Sequence, residues 1–147
     1  MDQVDRRLLA LVQSDGRIGY AELAQRVGLA TSSVHDRMRR LQAAGTVCYV
    51  GLVDAVAVGL TVVAFVTVLV GHSEQDRFLT DVRANQQVLE CHRITGPWSH
   101  LLKVRASDNA DLEVLLDRVR AHDGVARVQT LLALSTEKET LAVPTGG

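Results

Sequence analysis

The stretch from Tyr20 to Leu41, YAELAQRVGLATSSVHDRMRRL, has the pattern of two short helices around a tight turn. The first helix carries its apolar residues on one face, and the turn follows it: Leu23, Ala24, Val27, then Gly28-Leu29-Ala30. The second helix repeats apolar residues at i, i+4 and i+7: Val34, Met38 and Leu41. One buried stripe on each helix predicts a helix-turn-helix unit in the first third of the chain.

The rest of the second helix has side chains suited to DNA. It opens on hydroxyl residues expected to act as N-caps, Thr31, Ser32 and Ser33. It continues with basic and polar residues: His35, Arg37, Arg39 and Arg40. Arginine can donate two hydrogen bonds to guanine or contact phosphates, and the start of a helix favours phosphate. We therefore predict a DNA-binding surface here; the alternative is a solvated arginine-rich face on a domain that binds no DNA.

The charge of the chain is uneven. It has 147 residues, a formal net charge of -1 and 47% hydrophobic residues, enough for a sizeable core. Residues 1–45 carry seven arginines against five acidic residues, whereas residues 46–147 carry nine basic against twelve acidic residues. A basic front half and an acidic rear half suit a nucleic-acid-binding head joined to a body for sensing or assembly.

Beyond Gly59, strands alternate with helices. The pattern predicts strands and helices in the order strand 61–70, helix 74–84, strand 88–95, strand 100–106, helix 108–121 and strand 125–134, with Ser73 as an N-cap. Two β-α-β units in succession are typical of the split βαβ, ferredoxin-like fold. The predicted class is α+β: a winged helix-turn-helix domain followed by a ferredoxin-like βαββαβ domain.

The first strand of the rear half is apolar on both faces. One face carries Val62, Ala64, Val66, Val68 and Val70, and the other carries Val63, Phe65 and Leu69. An antiparallel sheet packed on helices needs only one apolar face. The second face is expected to pack against another copy of the same sheet, so the sequence predicts a homodimer.

An ordered set of short motifs runs through both halves. In the head they are Asp5-Arg6, Leu8-Leu9, Asp15-Gly16-Arg17, Glu22-Leu23-Ala24, Arg26-Val27-Gly28-Leu29, Val34, Arg37, Arg40-Leu41 and Gly45. In the body they are Ala64-Phe65-Val66, Glu90-Cys91, Thr95-Gly96, Leu101-Leu102-Lys103-Val104, Asp111-Leu112-Glu113 and Gly124-Val125. Together they resemble the Lrp/AsnC (feast/famine, leucine-responsive) family of transcriptional regulators over nearly the whole chain.

The resemblance implies a domain plan and a set of partners. The plan is a winged helix-turn-helix DNA-binding domain over residues 1–46, a hinge strand or linker over 47–59, an effector-binding and oligomerisation domain over 60–143, and a loose tail over 144–147. The implied partners are double-stranded DNA, a second copy of the chain, further copies up to an assembly such as an octamer, and a small effector, an amino acid or related metabolite. It implies no cofactor.

One turn of the body departs from the family pattern. After Thr95-Gly96 the family often has an aspartate and then a tyrosine, where this chain has Ser99 and His100. Serine cannot supply the negative charge that pairs with an α-ammonium group. The positions that match the effector-response region of the family are Ser99, Asn109, Leu131, Leu132 and Ala133. Each of them is alternatively an ordinary packing or loop residue.

Other functions receive less support. The histidines at 72, 92, 100 and 122 are scattered, so no metal site is predicted. Cys48 and Cys91 are expected to be buried thiols, and Trp98 an interface or packing residue rather than a ligand platform. No nucleophile pattern and no phosphate-binding loop is present. An enzyme of similar architecture, such as a tetrapyrrole decarboxylase, would not need the arginine-rich helix, but an architectural DNA-binding protein without effector stays open.

The expected cellular location is inferred from the apolar runs of the chain and from its N-terminus. The longest begins near Val56 and ends at Gly71, is interrupted by Gly59, Thr61 and Thr67, and is too short to span a bilayer as a helix. The N-terminus begins at once with a charged helix rather than a signal peptide. We therefore expect a cytoplasmic protein with no membrane partner.

Overall fold

A computed structural model describes residues 1–146 and divides the chain into two units. The head consists of Met1–Leu52 together with the C-terminal stretch from Lys138, and the body is Val53–Glu137. The elements are α1 (Gln3–Ser14), α2 (Tyr20–Val27), α3 (Thr31–Ala43), β1 (Val62–Val70), α4 (Gln75–Ala84), β2 (Val88–Arg93), β3 (His100–Ala106), α5 (Asn109–Arg120) and β4 (Val125–Leu132). Within residues 1–146, no helix has the length and apolar character needed to cross a bilayer.

The head is three helices around a small apolar core. A capping box begins α1, in which the Asp2 side chain accepts the Asp5 N–H and the Asp5 side chain accepts the Asp2 N–H. Gly28 ends α2 in the left-handed conformation, with φ of 72°, which allows the sharp turn into α3. The buried residues come from all three helices, and those of α2 and α3 lie at the predicted spacing: Leu8, Leu9, Val12, Leu23, Ala24, Val34, Met38 and Leu41.

The body is a four-stranded antiparallel sheet in the order β2-β3-β1-β4. This order is that of the ferredoxin-like fold, so the predicted α+β class is confirmed. Helices α4 and α5 supply side chains to the same core as one face of the sheet: Ala64, Val66, Val68, Val70, Phe78, Val82, Leu102, Val104, Ala106, Leu112, Leu115, Leu116 and Val119. The strand alternation of β1 and β3 therefore selects which residues are buried.

Two helices begin differently from the sequence expectation. The N-cap of α3 is Ala30, with no side-chain hydrogen bond, and Thr31 is already helical. The hydroxyls of Thr31, Ser32 and Ser33 therefore lie in the first turn instead of capping it. Before α4, a 3-10 turn over His72–Glu74 replaces the predicted Ser73 cap. In both places the backbone of the preceding turn, rather than a side chain, sets where the helix begins.

The segment between α3 and β1 has no regular secondary structure within residues 1–146. The hinge strand or linker expected over residues 47–59 forms no strand, and residues 55–59 make a turn. A strand requires a hydrogen-bonded partner, and the single chain supplies none here. Cys48 lies in this segment and is exposed, so the prediction that it is a buried thiol is wrong. Cys91, on β2, is partly buried.

The C-terminal tail is hydrogen-bonded to α1. The Gln13 amide donates to the Val143 carbonyl at 2.9 Å and accepts the Val143 N–H at 2.8 Å. Arg6 donates to the Thr145 carbonyl at 2.9 Å. By its contacts the tail belongs to the head unit, whereas the sequence places residues 138–143 with the body and expects a loose tail over 144–147, of which residue 147 lies outside the described residues.

One core residue of the body is a histidine. His100 is 2% exposed, its ring packs 5.5 Å from that of Phe78, and its Nδ1 has no hydrogen-bond partner within residues 1–146. Burial lowers the pKa of His100 from its ordinary value of 6.5, and the charge of Arg93 lowers it further. Because the folded state disfavours the protonated ring, His100 gives its full contribution to stability above pH 6.5 and loses it as the pH falls from there to the lowered pKa.

We expect His100→Leu to remove this pH dependence. The free energy of unfolding of the unmodified protein should fall below about pH 6.5, and the variant should show a flatter profile. The measurement is denaturant unfolding across about pH 5 to 8. The control is His72→Leu, because His72 is exposed. Equal pH profiles for the unmodified protein and His100→Leu would contradict this assignment.

Candidate nucleic-acid interface and effector region

Helix α3 is fixed in the head by its apolar stripe. Val34 and Met38 are fully buried and Leu41 is 5% exposed. The side chain of His35 lies beside the stripe, with its ring in an edge-on contact 5.1 Å from the ring of Tyr20 on α2. The two helices of the helix-turn-helix are thus held together by core packing and one ring contact, and the opposite face of α3 is left exposed.

The start of α3 is exposed and has unsatisfied backbone donors. Thr31, Ser32 and Ser33 are all exposed. The first helical hydrogen bond runs from the Val34 N–H to the Ala30 carbonyl, at 3.1 Å. The preceding N–H groups point out of the helix end, where the helix dipole favours an anion. Hydroxyls and free N–H groups together suit a phosphate or the edge of a base.

The three arginines of α3 differ in their environment. The Arg39 side chain is 74% exposed and pairs with Asp36 at 3.2 Å, a surface pair one turn away. The Arg40 side chain is 65% exposed and lies 3.4 Å from Asp5. Both guanidinium groups remain available to a ligand, because the Arg39–Asp36 pair is exposed and therefore weak, and the Arg40–Asp5 contact is long.

Arg37 is placed differently. Its side chain is 27% exposed and donates to Asp2 at 2.6 Å and to Asp5 at 2.8 Å. Asp5 is 3% exposed, so this contact ties α3 to the start of α1. Periodicity alone groups Arg37 with the exposed arginines, whereas the structure gives it partners inside the head. The D-x-x-D spacing of Asp2 and Asp5 is a capping pattern, and it is the available signal for this cluster.

Ser99 continues the pairing of β1 with β3. Its N–H donates to the Val68 carbonyl at 2.9 Å, and its Oγ accepts the Val70 N–H at 3.0 Å. The hydroxyl also lies 3.3 Å from the Val70 carbonyl as donor. The side chain thus replaces a backbone group at the end of the ladder, a structural role that the sequence does not indicate.

The remaining effector-region residues lie elsewhere on the body. Leu131 and Leu132 are exposed and pair with Phe65 and Ala64 at the start of β1, and Ala133 donates its N–H to the Val63 carbonyl at 2.9 Å. Asn109 is exposed in the first turn of α5, and it follows the end of β3, whereas Ser99 precedes β3. One strand length, roughly 20 Å, therefore separates Ser99 from the other four positions within one chain.

The turn that carries Ser99 contains a second contact that the sequence does not reveal. The guanidinium of Arg127, on the edge strand β4, lies 4.8 Å from the ring centroid of Trp98. This is a cation–π contact, and it orders the half-buried tryptophan against the sheet. The packing role predicted for Trp98 agrees with this contact. The two residues are far apart in the sequence, and no local pattern links them.

Two family models match the two units in order. Residues 1–42 match the AsnC-type helix-turn-helix domain, and residues 63–143 match the Lrp/AsnC ligand binding domain. The chain belongs to the Lrp/AsnC family. The resemblance inferred from the ordered motifs is thus confirmed, and so is the helix-turn-helix assignment of the opening stretch.

Known Lrp/AsnC proteins align with nearly the full length of the chain. The chain is 30% identical over 145 residues to the leucine-responsive regulatory protein of Escherichia coli, covering 95% of this chain and 88% of that protein. Among solved structures, an AsnC family transcriptional regulator from Agrobacterium tumefaciens has a TM-score of 0.93 at 29% identity, covering 99% and 98% of the two chains. A transcriptional regulator from Neisseria meningitidis, solved as a complex with L-methionine, has a TM-score of 0.92 at 30% identity, covering 98% and 96%.

Membership of this family decides between a transcriptional regulator and an enzyme. The chain is a transcriptional regulator with a helix-turn-helix DNA-binding domain, and its relatives are regulators rather than enzymes. The tetrapyrrole-decarboxylase alternative is therefore not favoured.

Proposed function

We propose that this regulator reads double-stranded DNA through the exposed face of α3. The observation that carries the proposal is the division of this helix into a buried apolar stripe and an exposed face of hydroxyls and cations. The proposed contacts come from Thr31, Ser32, Ser33, His35, Arg39 and Arg40. Arg37 is not among them, because Asp2 and Asp5 hold it against α1. In helix-turn-helix proteins, the second helix enters the major groove and its first residues reach the base edges.

Binding to a selected duplex tests this proposal. The protein would be used to select duplexes from a random-sequence pool, and fluorescence anisotropy would measure the affinity for the selected duplex and for an unrelated one. A difference of about a thousandfold or more is expected for specific recognition. If repeated selection enriches no sequence, and both duplexes bind equally, the proposal is wrong.

We infer that the body forms a homodimer through the open face of its sheet. On this face Phe65 is 36% exposed and Leu131, its neighbour on β4, is 52% exposed. The Thr67 Oγ1 on the same face has no hydrogen-bond partner among the described residues of the single chain. An apolar face of this kind supports self-association. The family resemblance supports further assembly, such as an octamer, and a DNA-binding regulator is proposed to act in the cytoplasm.

A second exposed apolar stretch supports the same inference. It lies between α3 and β1 and comprises Tyr49, Val50, Leu52, Val53, Val56 and Val58, each at least 48% exposed. We propose that residues 47–59 act as the hinge between a DNA-binding domain over 1–46 and an effector-binding and oligomerisation domain that begins near residue 60. Without a partner strand this stretch has no regular structure, so pairing between copies would explain its composition.

We propose that the effector is an amino acid or a related metabolite bound by the body. The complex of the Neisseria meningitidis relative with L-methionine supports an amino-acid ligand. The proposed positions are Ser99 at one end of the sheet and Asn109, Leu131, Leu132 and Ala133 at the other. Within a single chain, Ser99 lies at the opposite end of the sheet from the other four positions. A site that uses both groups therefore requires more than one copy of the body.

We expect leucine to bind weakly or not at all, and Ser99→Asp to strengthen amino-acid binding. An ammonium group without a carboxylate partner loses a charge-assisted hydrogen bond, which corresponds to roughly a ten- to hundredfold loss of affinity. A carboxylate at this position can still accept the Val70 N–H, as the serine hydroxyl does. A thermal-shift screen of the amino acids, followed by calorimetry, measures the effect.

The control is Ser99→Ala, which removes the same hydroxyl bonds without adding a charge. It should alter thermal stability but not increase amino-acid affinity. Tight leucine binding by the unmodified protein, unchanged in both variants, would show that position 99 does not govern recognition.

A further inference from the structure

Asp5 is a buried carboxylate at the contact between α1 and α3. Its side chain is only 3% exposed, although the head is a small domain of three helices. It accepts from the Asp2 N–H at 3.1 Å, from Arg37 at 2.8 Å, and from Arg40 at 3.4 Å. A buried carboxylate requires such partners, because an unpaired charge in this environment is strongly disfavoured.

The state of Asp5 suits a permanent ionic contact. Burial raises the pKa of Asp5, but hydrogen bonds from Arg37 and from the Asp2 backbone outweigh it, and the net pKa lies below the ordinary value of 3.8. The carboxyl group is therefore ionised at the pH of any DNA-binding measurement. Arg37 correspondingly keeps its charge, because both of its acidic partners raise its pKa.

The contact divides the cations of α3 into two kinds. Arg37 is held by two acids, and its side chain is mostly covered. Arg39 and Arg40 extend from the exposed face. If Arg37 were free, its long side chain would add a mobile positive charge beside the proposed DNA-binding face. Such a charge contacts phosphates of any sequence and raises affinity without adding specificity.

We propose that Asp5 is a positioning residue for DNA recognition: by holding Arg37 it fixes α3 on α1 and keeps this cation away from the phosphates. The inference rests on the proposed DNA reading by α3. It explains why an acidic cluster lies beside a helix that must approach a polyanion. It also gives Asp5 a function beyond its place in the capping box.

The test is Asp5→Asn in the full-length protein. The variant keeps the shape of the side chain and loses its charge. Arg37 then keeps only the exposed Asp2 carboxylate as an ionic partner, and an exposed ion pair is too weak to hold it against α1. The ratio of affinities for the selected and unrelated duplexes should fall about tenfold or more. The slope of log affinity against log salt should become steeper by about one unit, because one more cation contacts phosphate.

The matched control is Asp117→Asn. Asp117 pairs with Arg120 at 3.0 Å on the surface of α5, so the chemical change is the same and the site is exposed. It should change neither the affinity ratio nor the salt slope. The opposite outcome is that Asp5→Asn loses DNA binding only in proportion to the fraction of unfolded protein, while the salt slope stays unchanged. Asp5 would then be a structural residue only, and the proposal would be overturned.

A second variant keeps the test decisive if Asp5→Asn folds poorly. Asp5→Asn combined with Arg37→Gln removes both charges, so no unpaired charge is left between the two helices. Its salt slope should return to that of the unmodified protein, and a slope that stays steep would contradict the release of Arg37. The proposal for α3 fails separately, if the unmodified protein shows no preference for any selected duplex.

Discussion

Replacing Arg39 and Arg40 together with alanine is expected to abolish specific DNA binding while leaving the head folded. Their side chains are 74% and 65% exposed, the pair of Arg39 with Asp36 lies at the surface, and Asp5 keeps Arg37 as its closer partner when Arg40 is removed. Each arginine that reads a base or binds a phosphate contributes about 1–3 kcal/mol, so the double variant should lose roughly a hundredfold or more in affinity. The salt slope should fall by about one unit for each phosphate that an arginine no longer neutralises.

The matched control removes two exposed arginines from the body, Arg118→Ala with Arg120→Ala on α5. Arg37 is left in place in both proteins, because its removal would strand the buried Asp5 carboxylate and confuse an unfolded head with weaker DNA binding. Anisotropy with the selected duplex measures the affinity, and circular dichroism confirms the fold. Equal affinity of the two double variants would remove the DNA-reading role from α3.

The sequence predicts the fold well where a repeating pattern is decided by the core. Val34, Met38 and Leu41 recur at helical spacing, and all three are buried. The alternation of β1 likewise predicts Ala64 and Val66 on the helix-covered face. In these elements, burial of apolar area and backbone geometry favour the same arrangement, so a local pattern is sufficient.

The sequence predicts the candidate site less well, because its contacts join distant parts of the chain. The partner of Arg37 is Asp5, 32 residues earlier, and helical periodicity cannot reveal it. The partner of Gln13 is Val143, 130 residues later. The hydroxyl of Ser99 binds the backbone of Val70, which depends on the β1–β3 register and not on residue type. Contacts of this kind follow only from the assembled fold.

The arginine clusters also show why the charge of a helix does not by itself measure its DNA contacts. Three arginines lie on α3, but the acids of α1 neutralise one of them. Counterion release counts only the cations that reach phosphates. The salt slopes of three proteins can therefore be compared as one series. Relative to the unmodified protein, the Arg39 and Arg40 double variant has fewer cations available to phosphates, and Asp5→Asn has one more.

The Phe65→Asp variant is expected to convert the proposed homodimer into a monomer. Phe65 lies on the open face of the sheet, between Lys103 on β3 and Leu131 on β4. It is only 36% exposed in the single chain, and a second sheet would cover the remainder. A two-fold dimer contains the substitution twice, so two carboxylates would be buried in one interface. The cost of several kcal/mol corresponds to a weakening of the dimer by roughly a thousandfold or more.

Sedimentation velocity of the full-length protein measures this change, with Val114→Asp as the control. Val114 is 50% exposed on α5, on the opposite side of the sheet from Phe65, so it receives the same charge outside the proposed interface. Val114→Asp should remain a dimer at concentrations where Phe65→Asp sediments as a folded monomer. A folded monomer for the unmodified protein, or equal sedimentation of the two variants, would contradict the interface. Because a helix-turn-helix dimer binds two half-sites, the monomeric variant should also lose most of its affinity for a selected duplex although α3 is unchanged.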